Sequence, residues 1–300
     1  MNMRGISKLM LGTVQFGLDY GVANASGKPS YETARGIISK AFEGGVTAFD
    51  TAAGYGDSEK VIGRAFAELG IADSVTVITK TAHLSKGVSE TEVGEIFAKS
   101  ARASLDNLGL EVLPLLLMHN ELEMPYWSAF CELRTMGLTQ SVGISIDSIA
   151  FLEDALNLDN VEAIQVPMNM IDRRFSGDFL KRAKAKGISI FTRSSFLQGL
   201  LVMPLSNITQ DIFRPVLPVR RTLDEIAAKY GMSMPELCLR YATTYSEVDS
   251  VLFGVDSSEQ LEQNLAIFAK GPLPDAIITK INAVVPDFPE TILRPFLWTH

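Results

Sequence analysis

Eight short apolar runs recur along the chain, at residues 8–12, 46–50, 75–80, 113–119, 141–145, 163–167, 189–193 and 250–254. They are near-continuous in Val, Ile and Leu, as parallel strands buried on both faces should be. Between them apolar residues fall at helical spacing. Ala34, Ile37, Ile38, Ala41 and Phe42 make one such face, and Ile96, Ser100, Ala103, Leu105 and Leu108 a weaker one. Further helices are predicted over residues 59–69, 125–136, 179–186, 223–230 and 259–268. Gly44, Gly70, Gly109, Gly137, Gly187 and Gly231 follow helical patterns, where a left-handed residue closes the last turn. Eight strands alternating with helices over about 250 residues predict an α/β chain folded as a (β/α)8 TIM barrel. A doubly wound open sheet is the alternative. Against it, the first strand runs into Gly12-Thr13 rather than a G-x-G-x-x-G turn.

Two segments fall outside the alternation. Residues 196–219 are too long for an ordinary connection and carry Pro204, Pro215 and Pro218, which suggests a lid-like functional loop. Residues 232–245 read as an extra helix, with Ser233 as cap and Pro235 in its first turn. The tail from Pro272 to residue 300 holds one more helical stretch and an aromatic end with Phe288, Phe296 and Trp298. Residues 1–300 are thus expected to form a single barrel domain with these two additions.

Composition excludes several classes of partner. The net charge of −8 argues against a surface that tracks nucleic-acid phosphates. No basic amphipathic helix suggests membrane-surface binding, and the longest apolar stretch, near residues 113–118, is far short of a membrane span. The first residues lack the pattern of a secretory signal. Cys131 and Cys238 make neither a disulfide framework nor a metal-ligand spacing. A cytoplasmic protein, a monomer or small homo-oligomer, is expected.

In a barrel enzyme the active site lies at the carboxyl ends of the strands. The second run ends in Asp50, the third in Lys80, the fourth in His119, the fifth in Ser145, the seventh in Arg193 and the eighth in Gly254. Gln165 and Asn169 stand at and beyond the sixth. Tyr55 follows Asp50 by five residues in the stretch FDTAAGYGDSE, where a strand breaks at Gly54 and a helix restarts with Asp57, Ser58 and Glu59. Any one of Asp50, Tyr55, Lys80 and His119 has an ordinary structural use: a turn cap, a packed ring, a solvated ammonium, a hydrogen-bonded imidazole. Four together at consecutive strand ends do not, because a Lys–Asp pair buried at a barrel mouth costs desolvation and seldom stabilises. His83 and His300 read as structural or exposed.

The chemistry that fits the four is proton donation. A free phenol, with a pKa of about 10, is a weak acid at neutral pH. A nearby ammonium lowers that value, and apolar burial opposes it. Asp50 would hold Lys80 charged and in place, His119 would hydrogen-bond a substrate carbonyl, and Tyr55 would protonate its oxygen.

These residues carry a resemblance. LGTVQFG near the start, FDTAAGYGDSE, VITK, LLLMH, VGIS, IQVPMNM and FGVDSSEQLEQN are similar, in order and separation, to the landmarks of the aldo-keto reductases over nearly the whole chain. The resemblance implies a metal-free, NADP(H)- or NAD(H)-dependent oxidoreductase that reversibly reduces an aldehyde or ketone to an alcohol. It places the family's catalytic Tyr, Lys, Asp and His on Tyr55, Lys80, Asp50 and His119. It also implies a cofactor site. Gly12, Thr13 and Asp50 belong to it. Ser145 and Gln165 would hold the nicotinamide amide, with Asn169 supporting the loop. Ser194, Phe196, Gln198 and Gly199 lie in the loop along the pyrophosphate. Gly254, Val255, Asp256, Gln260 and Asn264 would take the far phosphate and ribose. Two positions depart from the family pattern. Ile146 replaces an asparagine often found there, and Arg193 stands where an aromatic ring usually stacks on the nicotinamide; a planar guanidinium can also stack. No Lys or Arg occurs between Phe253 and Ala269. Asp256 there repels a 2′-phosphate and can accept a ribose hydroxyl, whereas the helix N-terminus favours phosphate, so both cofactors stay open.

For the substrate pocket, Tyr20 and Trp127 are the candidates beside Tyr55 and His119, with residues 196–219 and the aromatic tail as further walls. The polar first loop, GLDYGVANASGKPS, points to a hydroxylated substrate such as a sugar aldehyde. Two other readings remain: a redox-sensing regulatory subunit of the same fold with little turnover, and a lyase or isomerase barrel without nicotinamide. The matched nicotinamide-side residues weigh against the last.

Overall fold

The structure, a computed structural model, describes residues 6–22, 24, 27–85 and 87–298. Eight parallel strands close into a barrel in sequence order: β1 Leu9–Gly12, β2 Ala48–Asp50, β3 Thr76–Lys80, β4 Leu113–Met118, β5 Thr139–Ser145, β6 Ala163–Pro167, β7 Ser189–Arg193 and β8 Ser250–Phe253. Closure is by β1 against β8, with Leu11 level with Phe253. The helices are α1 Val14–Gly17, α2 Tyr31–Glu43, α3 Ser58–Leu69, α4 Glu90–Leu108, α5 Trp127–Thr135, α6 Leu152–Leu156, α7 Asp178–Ala185, α8 Val216–Lys229, α9 Met234–Thr243, α10 Ser258–Phe268, α11 Asp275–Val284 and α12 Glu290–Leu293. The barrel expected from the alternation is the fold observed, and the open sheet is excluded by closure.

Three apolar clusters divide the interior. Met10, Ala48, Ile78, Leu115, Leu117, Ala163, Phe191 and Leu252 fill the inside of the barrel. Their strand neighbours, such as Leu11, Phe49, Val77, Leu116, Val142 and Ile164, face outward and pack under the helices. Strand side chains alternate, so the residues two steps beyond the inner cluster turn inward again. These are Gly12, Asp50, Lys80, His119, Gln165, Arg193 and Gly254, with Ser145 two beyond Gly143. Alternation alone therefore delivers the polar rim.

A third cluster lies beside the barrel and is built from the β7–α8 segment, α8, α9, α11 and the C-terminal segment, with Leu197, Leu201, Phe213, Tyr241, Ile281 and Trp298 buried in it. The segment expected to be a lid is thus largely packed. It runs through the turns Leu197–Gly199, Leu205–Asn207 and Asp211–Phe213, and α8 starts at Val216, seven residues before the predicted helix. Pro215 caps that helix and Pro218 sits in its first turn, where a missing N–H goes unnoticed. At the end of α2 the left-handed residue is Gly45, with φ 85°, and not Gly44, with φ −79°. The extra helix α9 has the predicted cap, with Ser233 accepting from the Glu236 N–H. Trp298 packs edge-on against Phe213 at 4.7 Å, and the exposed Phe296 ring lies 4.5 Å from the Arg294 guanidinium.

Candidate active site

Tyr55 reaches the rim on a turn that is fixed from below. Its backbone packs against Gly17, where an added Cβ would lie 1.7 Å from the Tyr55 carbonyl oxygen, so only glycine lets α1 and this turn meet. The following helix is pinned by polar contacts rather than capped by them. Buried Ser58 donates to the Thr13 carbonyl at 2.8 Å and meets the Thr13 and Thr51 hydroxyls at 2.7 and 3.0 Å. Buried Glu59 accepts from Thr79 at 2.7 Å and from Asn107 at 3.2 Å. The Thr13 hydroxyl also donates to the Asp50 carbonyl, 2.9 Å. Thr13 therefore builds the site's floor.

The four expected catalytic side chains converge. Lys80, 1% exposed, donates to Asp50 Oδ1 at 2.6 Å and to the Thr51 carbonyl at 2.8 Å. Gln165 donates to Asp50 Oδ2 at 2.8 Å, so both carboxylate oxygens are engaged. The Lys80 ammonium lies 5.1 Å from the centre of the Tyr55 ring. The Tyr55 and His119 rings meet edge-on at 5.7 Å.

Burial and the neighbouring charges set the protonation states. Burial, and then Asp50, push the Tyr55 phenol above its ordinary value, with Arg193 opposing. Burial also lowers Lys80, with Asp50 opposing. His119 is pushed down to about 2 by burial and then by Lys80, His83 and Arg193. The site at neutral pH thus holds a neutral phenol and a neutral imidazole over the Lys80–Asp50 contact. His119 Nδ1 is buried without a hydrogen-bond partner, as is Gln165 Oε1.

The remaining predicted residues divide. Ser145 is buried and level with Gln165. Asn169 donates to the Ser194 carbonyl at 3.0 Å and so ties the β6 end to the loop after β7. That loop holds Ser194, Leu197 and Gln198 at φ 63°, 47° and 52°, a strained conformation for residues with a Cβ. Gln198 donates to the Tyr20 hydroxyl at 3.2 Å, which brings the first loop across to it. Phe196 packs between two apolar clusters, and Val255 is buried in one of them. At Gly254 an added Cβ would meet the Gln15 amide at 2.4 Å, and Gln15 Oε1 itself has no partner. At the start of α10, Asp256 Oδ1 is buried and unpartnered, burial raises the Asp256 carboxyl, and its N–H donates to Gln260 at 2.8 Å. Asn264 is buried on the same helix.

Trp127 is placed elsewhere. It is buried in the cluster under the helices, tilted against Phe130 at 5.4 Å, with its indole N–H donating to the Asp159 carbonyl at 2.8 Å, and among the described residues it has no ring contact with Tyr55 or His119. His83, read as structural or exposed, stacks on His119 at 4.4 Å with the planes 22° apart. His300 lies outside the described residues. Arg193 pairs with Asp147 at 2.5 Å, and Asp147 with Arg294 at 2.6 Å. Neither Asp147 nor Arg294 stands at a strand end, the signal that located the rim.

In eight-stranded parallel-barrel enzymes the active site lies at this carboxyl rim, where the Tyr55, His119, Lys80 and Asp50 side chains converge. A sequence profile described as the aldo/keto reductase family matches residues 8–286, and the chain belongs to that family of oxidoreductases. Among its relatives, an NADH-specific methylglyoxal reductase of Escherichia coli is 24% identical over 266 residues, 76% of this chain and 80% of that one. The L-galactose dehydrogenase of Arabidopsis thaliana is 25% identical over 280 residues, 87% and 86% of the two chains. The fold matches an aldo-keto reductase from Bacillus halodurans in its holo form, with TM-score 0.76 and 21% identity over 94% of this chain and 93% of that one. Among the described residues no helix is long and apolar enough to cross a membrane.

Proposed function

We propose that the chain reduces an aldehyde or ketone reversibly to the alcohol, with NADPH or NADH as the reductant. The observation that carries this is the convergence of a neutral phenol and a neutral imidazole over a buried Lys–Asp pair at one point of the rim. The residues present fit a nicotinamide: Gln165 Oε1 is a buried acceptor lacking a donor, beside Ser145, as a carboxamide N–H₂ requires. When bound, the reduced nicotinamide would supply the hydride. The protein's part is the proton. Tyr55 gives its hydroxyl proton to the carbonyl oxygen, and the resulting phenolate is stabilised by Arg193. His119 stays uncharged and donates a hydrogen bond to the same oxygen. Lys80 and Asp50 hold the floor beneath Tyr55. In the oxidative direction the phenolate takes the proton back.

Asp256 favours NADH. Its desolvated, unpartnered oxygen suits a ribose hydroxyl and repels a 2′-phosphate. The strained loop of residues 194–200 would lie along the pyrophosphate. Tyr20 and Gln198 offer polar atoms beside the loop, which suits a hydroxylated carbonyl substrate.

The test is a titration of the purified protein with NADPH and NADH, followed by tryptophan fluorescence. Turnover is then assayed with methylglyoxal, sugar aldehydes and, in the oxidative direction, L-galactose. Binding and turnover are expected. Binding of neither cofactor would overturn the proposal, and binding without turnover of any carbonyl would favour a regulatory role.

A further inference from the structure

The C-terminal segment reaches the end of β5 through Arg294 and Glu290, the latter accepting from Ser148 at 3.1 Å and Arg174 at 3.0 Å. Arg294 uses three nitrogens on three carboxylates: Nε on Asp147 Oδ2 at 2.6 Å, Nη1 on Glu290 Oε2 at 2.8 Å and Nη2 on Glu121 Oε1 at 3.1 Å. Asp147 gives its other oxygen, Oδ1, to Arg193 Nη2 at 2.5 Å. The backbone of Asp147 is held as well, its N–H by Glu121 and its carbonyl by Arg174 Nη1 at 3.0 Å. Arg294 itself rides on a packed element, because Ile292, Leu293 and Trp298 around it are buried. The carboxylate of Asp147 is thus shared between two guanidiniums, one oxygen each. An arginine and a carboxylate often pair through two parallel bonds. Here Arg294 lies on Oδ2, in competition with a second bond from Arg193, which contacts Oδ1 alone.

We propose that Arg294 is a positioning residue: through Asp147 it holds Arg193 to a single contact and so fixes the guanidinium at the end of β7 where the nicotinamide would lie. The inference rests on the reading above that Arg193 borders the nicotinamide. Without Arg294, Asp147 is free to take Arg193 through both oxygens and draw it aside. Burial works against the Asp147 carboxylate, and the two arginines hold its carboxyl below the usual range, so it stays an anion throughout.

The test is a double-mutant cycle on the full chain with Arg193→Met, Arg294→Met and the pair, reading the NADPH and NADH dissociation constants by fluorescence. Each single change is expected to weaken binding by roughly three- to thirty-fold. Added to Arg193→Met, the Arg294 change is expected to weaken binding less than about twofold further. Arg294→Lys, which keeps the charge and can reach only part of the triad, gives the same cycle should the methionine variant fold poorly. Thermal unfolding is read alongside, and there the two changes need not couple. Full effects that multiply in the pair, or no effect of Arg294 on binding, would overturn the inference while leaving the reductase reading in place. Failure of the unaltered chain to bind either cofactor would overturn both.

Discussion

The depressed basicity of His119 has a consequence for stability that does not depend on any substrate. An unfolded chain's imidazole takes a proton near its ordinary value of about 6.5. In the folded protein burial, Lys80, His83 and Arg193 keep His119 neutral down to about 2. Between these values the unfolded state binds the extra proton and the folded state does not, so acidification favours unfolding. The stability that His119 withholds from the unfolded state is fully present above about pH 6.5 and is lost as pH falls towards the folded value. Each pH unit in that window costs about 1.4 kcal/mol per proton. Going from pH 7 to pH 5 the cost is about 2 kcal/mol, and it hardly depends on the folded value as long as that lies well below 5. The assay is urea unfolding of the unaltered protein and of His119→Gln at both pH values. The glutamine keeps a polar side chain and cannot titrate, so contributions from every other group cancel to first order. The unaltered protein is expected to lose about 2 kcal/mol more than the variant on acidification. Equal losses would mean that folded His119 takes its proton near the ordinary value, and that the rim is neither as dry nor as positive as described.

Three further outcomes follow from the same geometry. Tyr55→Phe should lower carbonyl reduction by about 10²–10⁴-fold with cofactor affinity nearly unchanged, since only the transferable proton is removed; steady-state rates beside the fluorescence titration decide it, and a near-normal rate would show that another group is the acid. Lys80→Met strands Asp50 with Gln165 as its remaining side-chain donor, at a cost of about 3–5 kcal/mol of unfolding free energy. Adding Asp50→Asn should return much of that loss without restoring activity, and urea unfolding of the single and double variants measures both. Asp256→Arg should shift the ratio of NADPH to NADH affinity towards NADPH by about tenfold or more; an unchanged ratio would place the 2′ site away from the start of α10.

The barrel was legible because parallel strands buried on both faces must read as unbroken apolar runs, and five of the eight runs ended in a polar residue, Asp50, Lys80, His119, Ser145 and Arg193. Asp50, Lys80 and His119 could be placed from that rule, and Tyr55 from the glycine-flanked turn that follows Asp50. What escaped it depended on contacts across the sequence. Arg193 and Asp147 are 46 positions apart, and Asp147 and Arg294 are 147 apart, with no motif linking them. The position of Trp127 on α5 gave its element but not its neighbours, and its amphipathic ring suited a pocket as well as the core it occupies. Pro215 and Pro218 looked like loop residues because a proline's tolerance at a helix start is visible only once the start is known.

The deepest gap concerns the phenol. Sequence placed an ammonium near Tyr55 and set its lowering effect against burial, without deciding between them. The structure decides through hydrogen-bond partners: Lys80 is bound by Asp50 and the Thr51 carbonyl, and Asp50 acts on Tyr55 in the opposite sense. Burial therefore prevails, and the cation that opposes it is Arg193, at the end of β7. In the proposed reaction Tyr55 would in consequence be an acid that stays loaded well above neutral pH. This suits reduction, and it makes the oxidative direction, which needs the phenolate, the one that should gain as pH rises.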